Sequence, residues 1–144
     1  MKFEEIQQEW DVDSTIDRFD IGTEALKIPK LHSKYYRIYV NESIRLKNVD
    51  AAYKALYLEK YEFFTLGHSD KSLQLGWKLP PQGRILKNEV SIYLDADIDL
   101  SDANLKVTTQ KEKVKFLESI LKELSTRNFH LRVAVDYEKF RAGV

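Results

Sequence analysis

Between Pro29 and Leu66 the chain repeats apolar residues at spacings of three and four. Leu31, Tyr35, Ile38, Leu46, Val49, Tyr53, Leu56 and Phe63 keep a helical period, interrupted on this face by Glu42. Lys60 shares the face of Tyr53, Leu56 and Phe63, and Tyr57, Tyr61 and Phe64 form a second stripe beside it. A helix with two such stripes needs two sets of neighbours, some of which could come from other copies of the chain. Pro29 suits a first helical turn and Gly67 a C-terminal stop. A helix of roughly 38 residues over 29–66 would be about 57 Å long, against a radius of gyration of about 15 Å for a compact domain of this length. The pattern therefore predicts a bend, a break near Asn41-Glu42-Ser43, an extended hairpin or a multi-subunit assembly.

The remaining elements follow from the same reading. Phe3, Ile6 and Trp10 predict a short helix over 1–12, with Asp11-Val-Asp-Ser-Thr15 as turn and cap chemistry. Isolated helices this short are marginal in water, so Trp10 needs a packing partner, a second subunit being one candidate. Residues 16–27 read as a linker or short helix. Residues 67–84, with Gly76, Trp77, Pro80-Pro81 and Gly83, read as one long irregular segment, of the length that is usually functional or disordered. Helices are expected over 85–94 and from about Leu100 to Ala142, the latter kinked near Ser125-Thr-Arg-Asn128. Val114, Leu117, Leu121 and Leu124 make a short heptad seam. Beyond the expected kink, Phe129, Val133, Tyr137 and Phe140 make another stripe, suited to core packing or to oligomer contact.

Composition supports an all-α class and a single domain over 1–144. Glycine (5) and proline (3) are scarce in 144 residues, and a sandwich or barrel would need many more turn residues. There is no cysteine, hence no disulfide framework and no thiolate chemistry. No apolar run is long enough to span a membrane, and Met1-Lys-Phe-Glu-Glu5 does not open a signal peptide.

Charge adds a different kind of information. The formal net charge is zero, but its distribution is uneven. Residues 1–26 carry eight acids and two bases, 27–60 eight bases and three acids, 71–88 four bases and no acid, 89–105 five acids and no base. Basic segments of this kind suit an anionic partner, and the acidic ones suit contact with neighbouring subunits. Solvated helix faces would also explain the pattern. In 67–84, Lys71, Lys78 and Arg84 accompany Trp77, a combination suited to a single strand, whose bases stack on aromatics while cations track phosphates. Alternatively, Trp77 anchors the segment to the core.

Enzymatic motifs are missing. His32, His68 and His130 lie far apart with no ligand spacing, and there is no phosphate loop or nucleophile elbow. Asp95-Ala-Asp-Ile-Asp99 invites a metal, but a calcium loop would need glycine at position 100 and glutamate at 106, where the chain has Leu100 and Lys106. A helix end and cap is the plainer reading of these aspartates, and a metal-dependent nuclease built on Asp95, Asp97 and Asp99 the alternative. On these residues the chain is not an enzyme, which leaves nucleic-acid binding or an oligomeric protein–protein adaptor.

Four stretches resemble the UvsY family, the recombination mediators of T-even-type bacteriophages. They are Phe3-Glu-Glu-Ile-Gln-Gln-Glu-Trp10 with Asp13-Ser-Thr15, Leu58-Glu-Lys-Tyr-Glu-Phe-Phe-Thr65 running to Gly67, Tyr93-Leu-Asp-Ala-Asp-Ile-Asp99, and Thr126-Arg-Asn-Phe129 through Asp136 to Phe140-Arg-Ala-Gly143. Their order is kept over nearly the whole chain. The resemblance implies an all-helical hairpin or bundle subunit that forms an open homo-oligomeric ring, a heptamer, through its C-terminal helix. It also implies binding to single-stranded DNA, a RecA-like recombinase and the phage single-stranded DNA-binding protein, with no metal or nucleotide cofactor, in the cytoplasm of the infected bacterial host. The family's basic-x-basic pair falls on Leu58 and Lys60, so only Lys60 keeps the charge. The expected DNA contacts are thus Lys54, Lys60, Lys71, Arg84 and Lys87, with Lys78 beside them. The expected subunit contacts are Phe129, Val133, Tyr137 and Phe140.

Overall fold

The computed structural model describes residues 1–144 and is built of helices alone: α1 (Phe3–Asp13), α2 (Ile21–Leu66), α3 (Asp70–Gln74), α4 (Val90–Ala96) and α5 (Ile98–Arg141). The all-α class and the long helices are those the apolar period predicts. No helix is long and apolar enough to cross a membrane. The chain forms two compact units, one of Met1–Ser43 with Glu112–Val144, the other of Ile44–Lys111.

In the first unit, α1 and the start of α2 pack on the C-terminal half of α5. Ile6, Tyr35, Leu117, Ile120 and Leu124 make the core, flanked by Trp10, Leu31 and Ile38. Trp10 meets Tyr35 edge-on, with centroids 5.4 Å apart, so its partner lies in its own chain. Arg127, 3% exposed, donates from its guanidinium to the Asp13 and Ser14 carbonyls, each at 3.4 Å. A cation thereby answers the negative end of the α1 dipole.

Helix α2 begins eight residues before the expected Pro29 and does not break at 41–43. Its start is set by a turn in which the Phe19 amide donates to Asp17 Oδ1 (2.9 Å) and the Glu24 amide to the Asp20 carbonyl (3.1 Å). Pro29 lies inside the helix, in its third turn, where it leaves the Ala25 carbonyl without its intrahelical donor. Glu42 does not interrupt the helix because its charge is matched: 2% exposed, it receives Lys113 Nζ at 3.3 Å. The Lys113 ammonium also donates to the Met1 carbonyl at 2.8 Å. Helix α5 likewise runs through 125–128 as one element. There Ser125 and Thr126 hydroxyls donate to the Lys122 and Glu123 carbonyls, a local arrangement that bends helices without ending them.

Asp13 is the polar centre of this unit. It accepts from Lys34 Nζ (2.6 Å) and from the Tyr35 hydroxyl (2.7 Å). Partial burial works to raise its pKa, but the hydrogen bonds from Lys34 and Tyr35, with the charges of Lys34 and Arg127, outweigh it and hold the carboxyl below its ordinary 3.8. Burial and the neighbouring Asp13 push the Tyr35 phenol upward. A carboxylate with a depressed folded pKa contributes stability that is present above the unfolded value and is lost as the pH falls through the folded one. Asp13→Asn is therefore expected to lower the melting temperature at neutral pH, with the gap to the parent closing as the pH falls below the ordinary carboxyl value of 3.8. Melting curves of both proteins across that range check this, and a gap that stays constant would mean the Asp13 charge contributes nothing.

In the second unit, Phe63, Phe64, Ile85, Val90, Leu94 and Leu100 make the core, with Tyr53, Leu56, Trp77 and Tyr93 packed against it. The segment 67–84, expected to be irregular throughout, contains α3. Ser69 caps α3: its hydroxyl accepts from the Ser72 amide at 3.2 Å, and its own amide donates to Ser72 Oγ at 2.8 Å. Gly67 closes α2 at φ 96°, which a residue with a side chain rarely adopts, and its amide donates to the Phe63 carbonyl at 3.0 Å. The expected helix at Ile85 starts only at Val90. Ile85 instead inserts into the core, and its amide satisfies the Phe64 carbonyl at the end of α2 (2.8 Å).

Candidate nucleic-acid interface

Among the cations expected to contact DNA, Lys60 is placed apart. It is 3% exposed and held by Asp97 Oδ1 at 3.1 Å and Asp99 Oδ2 at 2.8 Å. The Trp77 ring lies against its ammonium, 4.0 Å from Nζ to the centroid. In the isolated subunit the Lys60 ammonium is taken up by two carboxylates and an indole. The reason is positional: Lys60 falls on the inner stripe of α2 with Leu56 and Phe63, and a buried cation needs charged partners. Trp77 takes the anchoring role, packing edge-on against Phe63 at 5.4 Å.

The aspartate run is the helix junction that the plainer reading gives. Asp97 ends α4 and caps α5: its Oδ2 accepts from the Leu100 amide at 3.0 Å, and its carbonyl from the Ser101 amide at 2.9 Å. Its other oxygen and Asp99 neutralise Lys60. No three His, Cys, Asp or Glu residues converge as a metal site. Spacing along the chain could not reveal Asp97 and Asp99 as the partners of Lys60, but charge could: a lone lysine on an apolar stripe and an acid-only segment are complementary.

The other cations are exposed. Lys54 pairs with Asp50 one turn back (3.0 Å), and Lys71 with Glu59 (2.6 Å). Such surface pairs contribute about 0–1 kcal/mol, so both lysines are open to exchange for phosphate. Lys78, Arg84 and Lys87 are exposed and carry no ion pair in the subunit. The Arg84 stem lies over Gly67, its Cδ 3.5 Å from where a side chain there would begin. Lys71 lines a cleft of about 310 Å³ with Gly67 and His68. Lys71 and Arg84 thus both flank the C-terminal end of α2, whose partial negative charge favours cations. Arg84 and Lys87 follow in the segment that leads into α4.

Phe129, Val133, Tyr137 and Phe140 belong to the first unit, at the end of α5, and are 66%, 50%, 58% and 80% exposed. The stripe finds no cover within the subunit. Leu131, between them, is buried.

The family model described as recombination, repair and ssDNA binding protein UvsY matches residues 9–144. No individually curated protein matches the chain in sequence. Crystal structures of the bacteriophage T4 recombination mediator protein UvsY share the fold. One superposes with a TM-score of 0.79 at 22% identity, covering 99% of this chain and 98% of the other. Two further crystal forms give 0.76 at 19% and 20% identity, covering 98% and 95% of this chain and 99% and 98% of theirs.

Proposed function

The chain belongs to the UvsY family, and from that premise we propose that it is a non-enzymatic recombination mediator that binds single-stranded DNA and loads a RecA-like recombinase onto DNA covered by the phage single-stranded DNA-binding protein. The family match over nearly the whole chain carries this reading. The exposed cations of the second unit support it. Lys78, Arg84 and Lys87, with Lys54 and Lys71 as exchangeable neighbours, are the phosphate contacts in this reading. Lys60 is a structural residue in it.

The mechanism needs no bond made or broken. The chain assembles into a homo-oligomeric ring through the exposed end of α5. Each subunit offers a few cations, and repetition around the assembly converts weak contacts into firm binding through effective concentration. This accounts for a chain of zero net charge holding a polyanion: only the local patch must be basic. A strand held by its backbone leaves its bases free for the recombinase to nucleate upon.

Fluorescence anisotropy of a labelled single-stranded oligonucleotide, titrated at two salt concentrations, tests the reading. Binding that weakens steeply with salt is expected, because phosphate contacts release counterions. No binding at low salt, together with firm association with a recombinase, would instead make the chain an oligomeric adaptor.

A further inference from the structure

The first half of α2 carries a row of rings at the edge of the core. His32, Tyr36 and Tyr39 follow at spacings of four and three, so they share one face of the helix. The His32 and Tyr36 rings lie nearly parallel, 10° apart in plane with centroids at 5.9 Å. Tyr36 leans on Tyr39 at 6.1 Å, and the Tyr39 hydroxyl donates to Glu118 Oε1 on α5 at 3.3 Å. Tyr39 therefore fixes one end of the row to the unit, while His32 and Tyr36, the latter 51% exposed, present their rings to water. The charge beside the row on α2 has one sign. From Lys27 to Asn48 the only acid is Glu42, which is buried and matched by Lys113. Lys27 is held by Glu24, and Lys34 by Glu9 and Asp13. Lys30 and Arg37 are exposed without an ion pair. Asp17 and Asp20 act on Lys27 from the turn before the helix, short of the row. On α5, exposed Lys115 and Lys122 alternate with Glu112, Glu118 and Glu123, so the cations in excess are those of α2.

We infer that this row is a stacking platform for the bases of single-stranded DNA, with Lys30 and Arg37 beside it for the phosphates. The platform rests on the single-strand binding proposed above and adds a contact of a different chemistry, in the first unit. Rings open to water beside unpaired cations suit a single strand. Every base has a π-face to stack, and only an unpaired strand can splay its bases outward. An acidic peptide would answer the cations but leave the rings in water. From His32 to Tyr39 the row spans about 10 Å, so it takes up a few bases per subunit and leaves the others free.

Anisotropy titrations with a labelled oligothymidylate, and with an abasic strand of the same length, test the platform. His32→Ala with Tyr36→Ala is expected to bind oligothymidylate on the order of tenfold more weakly than the parent, within what the loss of a base–aromatic stack costs. The slope of log K against log salt should match that of the parent, because stacking releases no counterions. On the abasic strand, which keeps the phosphates, parent and variant are expected to bind alike. Tyr36→Phe keeps the ring and should keep the parent's affinity. Both residues are exposed, and light scattering should show the same assembly with and without them. Equal affinity of parent and double variant for oligothymidylate, or an equal loss on the abasic strand, overturns the platform while single-strand binding stands. A double variant that no longer assembles makes the row a subunit contact and overturns it as well. A parent that binds neither strand overturns single-strand binding itself, and the platform with it.

Discussion

Lys60→Ala is expected to destabilise the protein by about 3 kcal/mol, the lower end of what removing one partner of a buried ion pair costs. The loss leaves Asp97, whose side chain is 12% exposed, without its cation, and removes the ammonium that lies on the Trp77 ring. Asp99 is 53% exposed and regains water, which keeps the cost from the upper end. In a chain of this length the melting temperature should fall by on the order of 10 °C. The decisive comparison is Lys60→Met combined with Asp97→Asn and Asp99→Asn. Removing all three charges leaves no uncompensated ion, and asparagine at 97 still caps α5, so most of the stability should return. The triple variant is also expected to keep its single-strand affinity. If it folds but no longer binds, Lys60 contacts DNA after all, and the burial in the isolated subunit opens on binding.

The buried charges explain where the sequence was legible and where it was not. Glu42 and Lys60 sit on the apolar face of α2, and each looks like a defect in the period. Each is instead paired, Glu42 with Lys113 and Lys60 with Asp97 and Asp99. These partners lie 71 and 39 positions or so away in sequence, and helical spacing reports only neighbours three and four residues apart. A break at Glu42 and a DNA contact at Lys60 were both reasonable from local pattern, and both depend on a tertiary partner the pattern does not contain. Buried ion pairs of this kind are poor sources of stability compared with apolar contacts, but they are intolerant of the wrong neighbour. Sliding α5 by one turn in either unit would leave a buried charge facing a side chain that cannot answer it.

The elements themselves were readable because helical period is a strong signal and tertiary packing here follows it. Tyr35, Phe63, Leu117 and Leu124 lie on the predicted stripes and are buried. Element ends were less so. Proline at 29 fits a first turn, and nothing local says that the Asp17–Asp20 turn has already started the helix. Helix α3 was within reach: Ser69-Asp-Lys-Ser72 has the spacing of a capping box, although serine at the fourth position is a weaker form of it than glutamate. Ile85 was not, since its amide is drawn to the Phe64 carbonyl by packing rather than by any helical propensity. For the candidate interface, the charge count located the basic segment, and only burial separated Lys60 from Lys78, Arg84 and Lys87.

Reversing those three cations together, Lys78→Glu, Arg84→Glu and Lys87→Glu, is expected to weaken single-strand binding on the order of a hundredfold at low salt. The estimate takes each phosphate contact as about 1 kcal/mol, and about 3 kcal/mol in total is roughly that ratio. The salt dependence should flatten as well. Each lost contact on a single strand removes about 0.7 from the slope of log K against log salt, so three remove about 2 for every subunit engaged. Repetition over several subunits on one strand enlarges both effects, because avidity multiplies whatever each subunit loses. Stability should not move, since all three residues are exposed and unpaired. Lys54→Glu with Lys71→Glu makes the useful contrast. These cations already sit on Asp50 and Glu59 and must give up those weak pairs to reach phosphate, so a smaller loss is expected. Anisotropy titrations over a salt series, alongside light scattering to show that assembly is intact, read both variants. Unchanged affinity and slope in the triple variant would remove the DNA path from 78–87. A larger loss in the pair than in the triple variant would move that path onto the flank of α2, where Lys54 and Lys71 lie.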